Sequence, residues 1–269
     1  MTLGARYDFL QRLARAAGRL ASDFWDRRDT LAVELKGPQD FVSRADKEVE
    51  TFIRRELAAE FPGDAFLGEE TAASFDGETD RLWIVDPIDG TTNFLRGIPY
   101  WNVSIAYTEK GTRMLGAVCD PVRDELFHAQ RGGGAWRSRP GSDVRIACSA
   151  TVALERAIVA LGHHDRCPEP RYLALRAALM DRRAAFRNLG SAALQLAHVA
   201  DGRLDAFVEL ELSAWDAMAG LLLVEEAGGS VWPFPGADGL AARAPVLAAT
   251  PGIAAPLGDL ATAAGWGVT

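Results

Sequence analysis

Trp83-Ile84-Val85-Asp86-Pro87-Ile88-Asp89-Gly90-Thr91-Thr92-Asn93-Phe94 carries an apolar, β-branched run straight into two carboxylates, a glycine and two hydroxyls. Leu82 to Val85 reads as a short buried strand, because four apolar residues stand before a Pro/Gly turn signal. Asp86 then falls at the carboxyl end of a strand, where open α/β sheets place ligands. Pro87 fixes φ and cannot donate to a ladder, so the strand is expected to end and turn there. That turn brings Asp86 and Asp89 to one point, with the Ile88 carbonyl between them. Two carboxylates so close must take up a proton or share a cation. With no Cys or His nearby, the oxygen donors suit a hard ion such as Mg²⁺ or Mn²⁺. Gly90-Thr91-Thr92 adds close backbone approach and hydroxyls, groups that receive a phosphate at a helix N-terminus. Taken alone, Asp89-Gly90 reads more readily as a hairpin turn, which is what that dipeptide usually means between apolar runs.

Outward from this stretch, the totals set the frame. With 269 residues, 48% hydrophobic content and a mean hydropathy of −0.02, the chain can bury a large core as one big domain or two closely packed halves. No apolar run approaches the roughly 20 residues needed to span a bilayer, and residues 1–19 lack the apolar core and cleavage site of a signal peptide. A cytoplasmic protein is expected. Cys119, Cys148 and Cys167 are odd in number and too widely spaced for a disulfide framework or a zinc site. The net charge of −8 argues against a nucleic-acid groove, which needs clustered Lys and Arg. A bound metal would have to supply much of the positive charge for any phosphate.

N-terminal to the central stretch, Leu10, Leu13, Ala17, Leu20 and Phe24 recur at spacings of three and four, predicting an amphipathic helix over 7–28. Packing on a sheet fits that face better than a membrane surface does. Lys36-Gly37-Pro38 predicts a hairpin or loop within 31–41, with Lys36 solvated on composition alone. Ser43-Arg44-Ala45-Asp46 opens a second helix with Val49, Phe52, Ile53 and Leu57 as its buried stripe. Ser43 and Asp46 there fit a capping box. Phe66-Leu67-Gly68-Glu69-Glu70 is a short apolar run ending in paired acids, by itself a solvated strand end.

Beyond the stretch, strands over 103–108, 114–120 and 125–129 joined by short connections predict an antiparallel meander. Gly132-Gly133-Gly134 is a turn, since no Lys-Ser/Thr follows as a P-loop requires. Pro140-Gly141-Ser142-Asp143 is the expected internal boundary, dividing 1–142 from 143–269. The second part alternates strand 157–161, helix 172–180, strand 185–188, helix 191–200 and strand 204–210, an α/β order with helices covering a sheet. Trp215-Asp216-Ala217-Met218-Ala219-Gly220 begins the most apolar helix, which runs to Gly228-Gly229. Ser213 and Asp216 again fit a capping box. His163 and His164 are adjacent and so point apart, which disfavours joint metal ligation. No Gly-x-Ser-x-Gly surrounds Ser191, so a serine hydrolase is not indicated.

The stretch 83–94, together with Gly68-Glu69-Glu70 and with Trp215-Asp216 leading to Glu226-Ala227-Gly228-Gly229, resembles the signatures of the inositol monophosphatase family of metal-dependent, lithium-sensitive phosphatases. The resemblance covers nearly the whole chain. It is distinct from the haloacid dehalogenase phosphatases, whose two acids lie two residues apart rather than three. It implies a layered α-β-α-β-α sandwich, usually a homodimer. By matching motifs, Glu69, Asp86, Asp89, Asp216 and the Ile88 carbonyl would hold two or three Mg²⁺ ions, with Glu70 behind them. Asp46 would accept a hydrogen bond from Thr91, which would orient the attacking water, and Lys36 would lie over the metal site. Gly190-Ser191-Ala192 and Glu209 would contact substrate hydroxyls, beside Asp89, Gly90, Thr91 and Asp216.

The implied activity is hydrolysis of inositol 1-phosphate or a related polyol phosphate, although relatives act on histidinol phosphate, fructose 1,6-bisphosphate, NADP or adenosine 3′,5′-bisphosphate. This chain departs from the family pattern at Glu211, where glycine is common, and at Leu161-Gly162-His163-His164. An added carboxylate would repel a second phosphate and favour a cationic leaving group, which raises histidinol phosphate as the second substrate reading. Some bacterial relatives double in transcription control, so a regulatory partner protein is the non-enzymatic reading. The acidic balance disfavours direct RNA contact.

Overall fold

The computed structural model describes residues 2–267 apart from 31–32, 38–39, 73–78, 164–168, 236–238 and 241; the side chains of 30, 33–37, 40–43 and 169 also fall outside it. The periodic face of the first helix, α1 (Leu3–Trp25), buries Leu10, Leu13, Ala14, Ala17 and Ala21. It packs beside α2 (Arg44–Glu60), whose Val49, Ile53 and Leu57 are buried in the same cluster. Both helices lie on one face of a sheet, against Trp83, Val85, Val103, Ile105 and Tyr107. The intervening residues, Leu82, Ile84 and Ala106, belong to a different cluster on the opposite face. That division follows from the two-residue period of a strand.

This sheet has seven strands in chain order: β3 (Ala65–Gly68), β4 (Arg81–Asp89), β5 (Asn102–Glu109), β6 (Thr112–Asp120), β7 (Glu125–Gln130), β8 (Gly134–Arg139) and β9 (Ser142–Arg145). Only β3 and β4 run parallel within it. Its β5–β7 portion is the antiparallel meander expected from the sequence. A separate hairpin, β1 (Val33–Gly37) with β2 (Asp40–Ser43), precedes α2. Pro140-Gly141 forms the tip of the β8–β9 hairpin, so the sheet continues to Arg145. The glycine turn after β7 docks on the end of α6 (Ala214–Glu226), with the Gly132 and Gly134 N–H groups each 2.8 Å from the Glu226 carboxylate.

The second sheet is ordered β11 (Ala185–Arg187), β10 (Ile158–Leu161), β12 (Ala206–Leu212), β14 (Ala244–Ala249) and β13 (Ser230–Val231). α5 (Ala192–Ala200) and α6 fill the space between the sheets, and their buried residues share one cluster with Phe127 and Val118 of the first sheet and Phe207 and Val246 of the second. Both helices are apolar around most of their surface, as a layer covered on two sides requires. On the outer face of the second sheet, Val159, Leu161, Val208 and Leu247 meet Leu175 and Leu179 of α4 (Glu169–Asp181) and Ile253 and Leu257 of α7 (Pro251–Ala263). The molecule is therefore the five-layer α-β-α-β-α sandwich. No helix among the described residues is long and apolar enough to cross a membrane.

One expectation fails in an informative way. The strand leading to the acids does not stop before Pro87: β4 runs through it to Asp89. Its pairing with β5 shifts between Asp86↔Ser104 and Asp89↔Asn102, so three steps on β4 oppose two on β5. The extra residue is a bulge, which accommodates the proline's missing donor. Residues three apart on a regular strand point to opposite faces; the bulge turns Asp86 and Asp89 to the same one.

Close packing of α6 on β6 gives a direct test. A Cβ added at Gly116 would sit 2.8 Å from the Ala219 carbonyl oxygen and 3.1 Å from its Cα, both backbone atoms. Gly116→Ala should lower stability by about 1–3 kcal/mol through overpacking, measured by urea unfolding. Gly4→Ala, where an added Cβ meets nothing within 4 Å, should cost nothing; equal midpoints for the two variants would contradict the tight α6–β6 contact.

Candidate functional site

The bulge of β4 delivers Asp86 and Asp89, and the first turn of α6 delivers Asp216. Oxygens of these three carboxylates all lie within 4.8 Å of one another. Asp86 and Asp89 are buried, at 1% and 6% exposure. Each acid is held by backbone donors. The Ile88 N–H donates to Asp86 Oδ1 at 2.9 Å, and the Ser213 N–H donates to Asp216 Oδ2 at 3.1 Å in the capping box read from the sequence. Asp89 sits on the N-terminus of α5, accepting from the Ala192 and Ala193 N–H groups at 3.1 and 2.8 Å, from Ser191 Oγ at 2.7 Å and from Asn102 Nδ2 at 2.7 Å. Glu69 follows β3, its N–H donating to the Val85 carbonyl at 3.1 Å, and lines the same cavity as Asp89 and Asp216.

The electrostatics are those of like charges gathered out of water. Burial first, then the charges of Glu69, Asp89 and Asp216, hold the Asp86 carboxyl well above the usual range, and its hydrogen bond to Asp216 raises it further. Asp216 is pushed up to about 8, by burial and then by Asp89 and Glu209. Burial raises Asp89 as well, against the lowering effect of its four hydrogen bonds. Such a cluster is stable only if protons or cations reside in it. Its donors are all carboxylate oxygens, with no thiolate or imidazole, which fits a hard divalent cation. Asp86, Asp89 and Asp216 could hold a metal ion.

Beside the acids, Gly90 opens the short helix α3 (Thr91–Arg96) with φ +92°, a left-handed conformation that favours glycine. Thr91 Oγ1 lies 3.2 Å from Asp46 Oδ1 and 3.0 Å from the Ile88 carbonyl oxygen. Asp46 is buried in the first turn of α2. Lys36 falls on β1, but its side chain, like Pro38, Gln39 and the Ser43 side chain, lies outside the described residues, as do His164 and Cys167. Glu70 donates its N–H to the Glu50 carboxylate at 2.8 Å.

A cavity of about 480 Å³ opens at the acids, lined by Glu69, Asp89 and Asp216 together with Gly190, Ser191, Ala192, Glu209 and Glu211. The Ser191 hydroxyl and the Ala192 N–H are engaged with Asp89, so the helix start positions that carboxylate. Glu209 packs against Gly162, where any Cβ would lie 2.1 Å from its Oε2. This gives the Gly162 of the unusual 161–164 stretch a reason: a larger residue would evict the acid. Burial, then Asp89, pushes Glu209 up to about 8. His163 also lines the cavity and meets the Tyr172 ring edge-on, with centroids 4.7 Å apart.

Comparison with known proteins bears on the same residues. The model of the inositol monophosphatase family matches residues 5–264. The chain belongs to the inositol monophosphatase family. Among its relatives, the inositol-1-monophosphatase of Rhizobium meliloti is 44% identical over 222 residues, covering 82% of each chain. The Nus factor SuhB of Haemophilus influenzae is 38% identical over 240 residues, covering 88% of each. The crystal structure of the extragenic suppressor protein suhB from Bartonella henselae superimposes with a TM-score of 0.85 at 36% identity, covering 96% of this chain and 98% of that one.

Three residues of this family member escaped the sequence reading. Asn102, fully buried, donates to both Asp89 Oδ2 and Ser191 Oγ, and its Oδ1 has no partner among the described residues. Asn93 ties α3 to the segment before α5 by donating to the Tyr100 and Leu189 carbonyls at 2.8 and 2.7 Å. The available signal was an asparagine at the start of a β-branched strand, where that residue is disfavoured. Arg243, exposed at the edge of β14, lines the cavity, and nothing local in the sequence marks it.

Metal-free protein should show the charge cluster in its pH dependence. With folded-state values raised to about 8, Asp216 and Glu209 bind protons more tightly folded than unfolded. Their contribution therefore falls as pH rises from roughly 4 toward 8. In EDTA, Asp216→Asn should match wild type in Tm near pH 4 and exceed it at pH 8. Millimolar Mg²⁺ should raise the Tm of wild type at pH 8 and that of the variant much less. A wild-type Tm at or above that of the variant at pH 8 in EDTA would disprove the cluster's strain.

Proposed function

We propose that the protein is a Mg²⁺-dependent phosphomonoesterase acting on inositol 1-phosphate or a related polyol phosphate. The observation that carries this reading is the convergence of Asp86, Asp89 and Asp216 within 4.8 Å, beside a threonine whose hydroxyl is paired with a buried aspartate. Glu69, Asp86, Asp89, Asp216 and the Ile88 carbonyl would hold two or three divalent ions. Bound there, the ions supply Lewis acidity and positive charge against that of the phosphoryl group.

The chain's own residues account for the proton. Both acceptors near Thr91 Oγ1 are oxygens, Asp46 Oδ1 and the Ile88 carbonyl, so its hydroxyl proton is directed toward them and its lone pairs remain for a water O–H. Water gives its proton to Thr91 Oγ1 as Thr91 passes its own to Asp46, and the water oxygen bonds to phosphorus as the ester P–O bond breaks. The leaving alkoxide takes a proton from solvent in the cavity. Lys36 and Glu69 complete the catalytic set, and Gly90, Gly190, Ala192 and Glu209 face the polyol. No covalent phosphoenzyme is required.

Histidinol phosphate, favoured by Glu211 alone, is the weaker substrate reading because Arg243 lines the same cavity and offsets that acid. The relatives named Nus factor SuhB motivate a second reading, a regulatory partner protein. The intact acid cluster supports the enzymatic one. Free Cys119 and Cys148 accord with the reducing cytoplasm proposed for it.

Phosphate release from inositol 1-phosphate should require Mg²⁺ and stop with EDTA. Asp86→Asn should lower kcat on the order of 100-fold or more, and Thr91→Ala by about 10²–10⁴-fold, the range for a lost proton-transfer group. Release that persists in EDTA would refute the metal-dependent reading.

A further inference from the structure

Arg243 and Glu211 line two spaces at once. Both face the catalytic cavity, and both also line an adjoining groove of about 620 Å³ whose other walls include Arg171, Pro245, Thr262 and Gly265. The groove therefore opens off the cavity across the Glu211–Arg243 wall. Its frame is fixed: Trp266, fully buried, donates its indole N–H to the Arg171 carbonyl at 3.0 Å, tying the start of α4 to the segment after α7. Arg171 also lies along Gly265, where an added Cβ would sit 3.5 Å from its Nε. On β12, the register against β14 shifts between Glu209↔Val246 and Leu212↔Ala244, a second bulge. Glu209 and Glu211 both line the cavity, and Glu211 alone also borders the groove.

The charges in this groove are unusual for the chain. In a protein of net charge −8, guanidiniums are readily paired, and Arg6, Arg113, Arg137 and Arg203 each meet a carboxylate. Arg171 and Arg243 are exposed, and among the described residues neither has a carboxylate within ion-pair distance. Two unpaired guanidiniums thus border one groove against the single carboxylate of Glu211. Guanidinium groups recognise carboxylate and phosphate oxygens through paired N–H donors.

We propose that this groove is a subsite for a second anionic group, carried on the leaving group of the phosphomonoester and held by Arg243 and Arg171. It rests on the phosphatase reading above and adds a preference, within that substrate class, for phosphorylated polyols that bear a distal carboxylate or phosphate. The sequence expectation that Glu211 repels a second anion is reversed by the two arginines around it.

The test compares D-gluconate 6-phosphate with D-glucitol 6-phosphate, which differ at the end remote from the phosphate by a carboxylate. Wild type should show a higher kcat/KM for the gluconate ester. Arg243→Met and Arg171→Met should each lower that preference about 5- to 10-fold, the worth of one charge-assisted contact, with kcat/KM for the glucitol ester within twofold of wild type. The preference should also shrink as ionic strength rises. No preference in wild type, or an unchanged ratio in both variants, overturns the proposal.

If neither ester is hydrolysed, phosphate release from inositol 1-phosphate decides the phosphatase reading by itself, while the groove is still tested by calorimetric titration of the same two ligands. Tighter gluconate 6-phosphate binding that Arg243→Met abolishes sustains the subsite, and equal affinities end it. A final arm adds unphosphorylated gluconate to the glucitol 6-phosphate assay. An activation lost in Arg243→Met would assign the groove to a separate anion and overturn its role in substrate binding.

Discussion

Repulsion among carboxylates is the constraint around which this molecule is arranged. Three acids with oxygens inside 4.8 Å, two of them almost wholly buried, represent a concentration of like charge that no isolated segment could sustain. The fold sustains it by spending helix N-termini on it. Asp89 rests on the first turn of α5, Asp216 caps the first turn of α6, and Thr91 begins α3 next to them. Each terminus contributes partial positive charge and N–H donors that no other group in the chain needs. Even so, the acids remain shifted upward, so the helix ends offset only part of the repulsion.

The five layers make that arrangement possible. α5 and α6 are buried between two sheets, and their apolar surfaces leave only their ends to meet solvent or ligand. Packing therefore fixes where the N-termini point, and the polar side chains these helices give the cavity, Gln195 and Asp216, stand in their first turns. The bulges in β4 and β12 perform the complementary task for strands. In each, one extra residue resets which face the next side chain takes, in the first aligning Asp86 with Asp89 and in the second falling between Glu209 and Leu212.

How much of this was legible in the sequence depends on how local each signal is. Asp86, Asp89, Glu69 and Asp216 stand at abrupt ends of apolar runs, and such ends can be read within ten residues. The alternation of strands and helices in 157–210 was legible for the same reason. That Pro87 lies within a strand was not, because the pairing that carries the chain past it is supplied by β5. Nor was β14, an alanine-rich segment that inserts between β12 and β13, or α7, whose Gly252, Pro256 and Gly258 are poor helix formers held by tertiary packing. Arg243 depends on that insertion, so its place beside Glu211 could be seen only once the sheet was assembled. The layer order itself was available only by resemblance to a family.

The parallel β3–β4 pair and the central position of α6 have a consequence for assembly. Glu69 and Asp86 are neighbours as soon as those two strands align, but Asp216 reaches them only when the middle layer has been enclosed. A chelated ion would thus recognise the finished architecture and not its early intermediates. It would act as a rivet set last, slowing disassembly without hastening the search that precedes it.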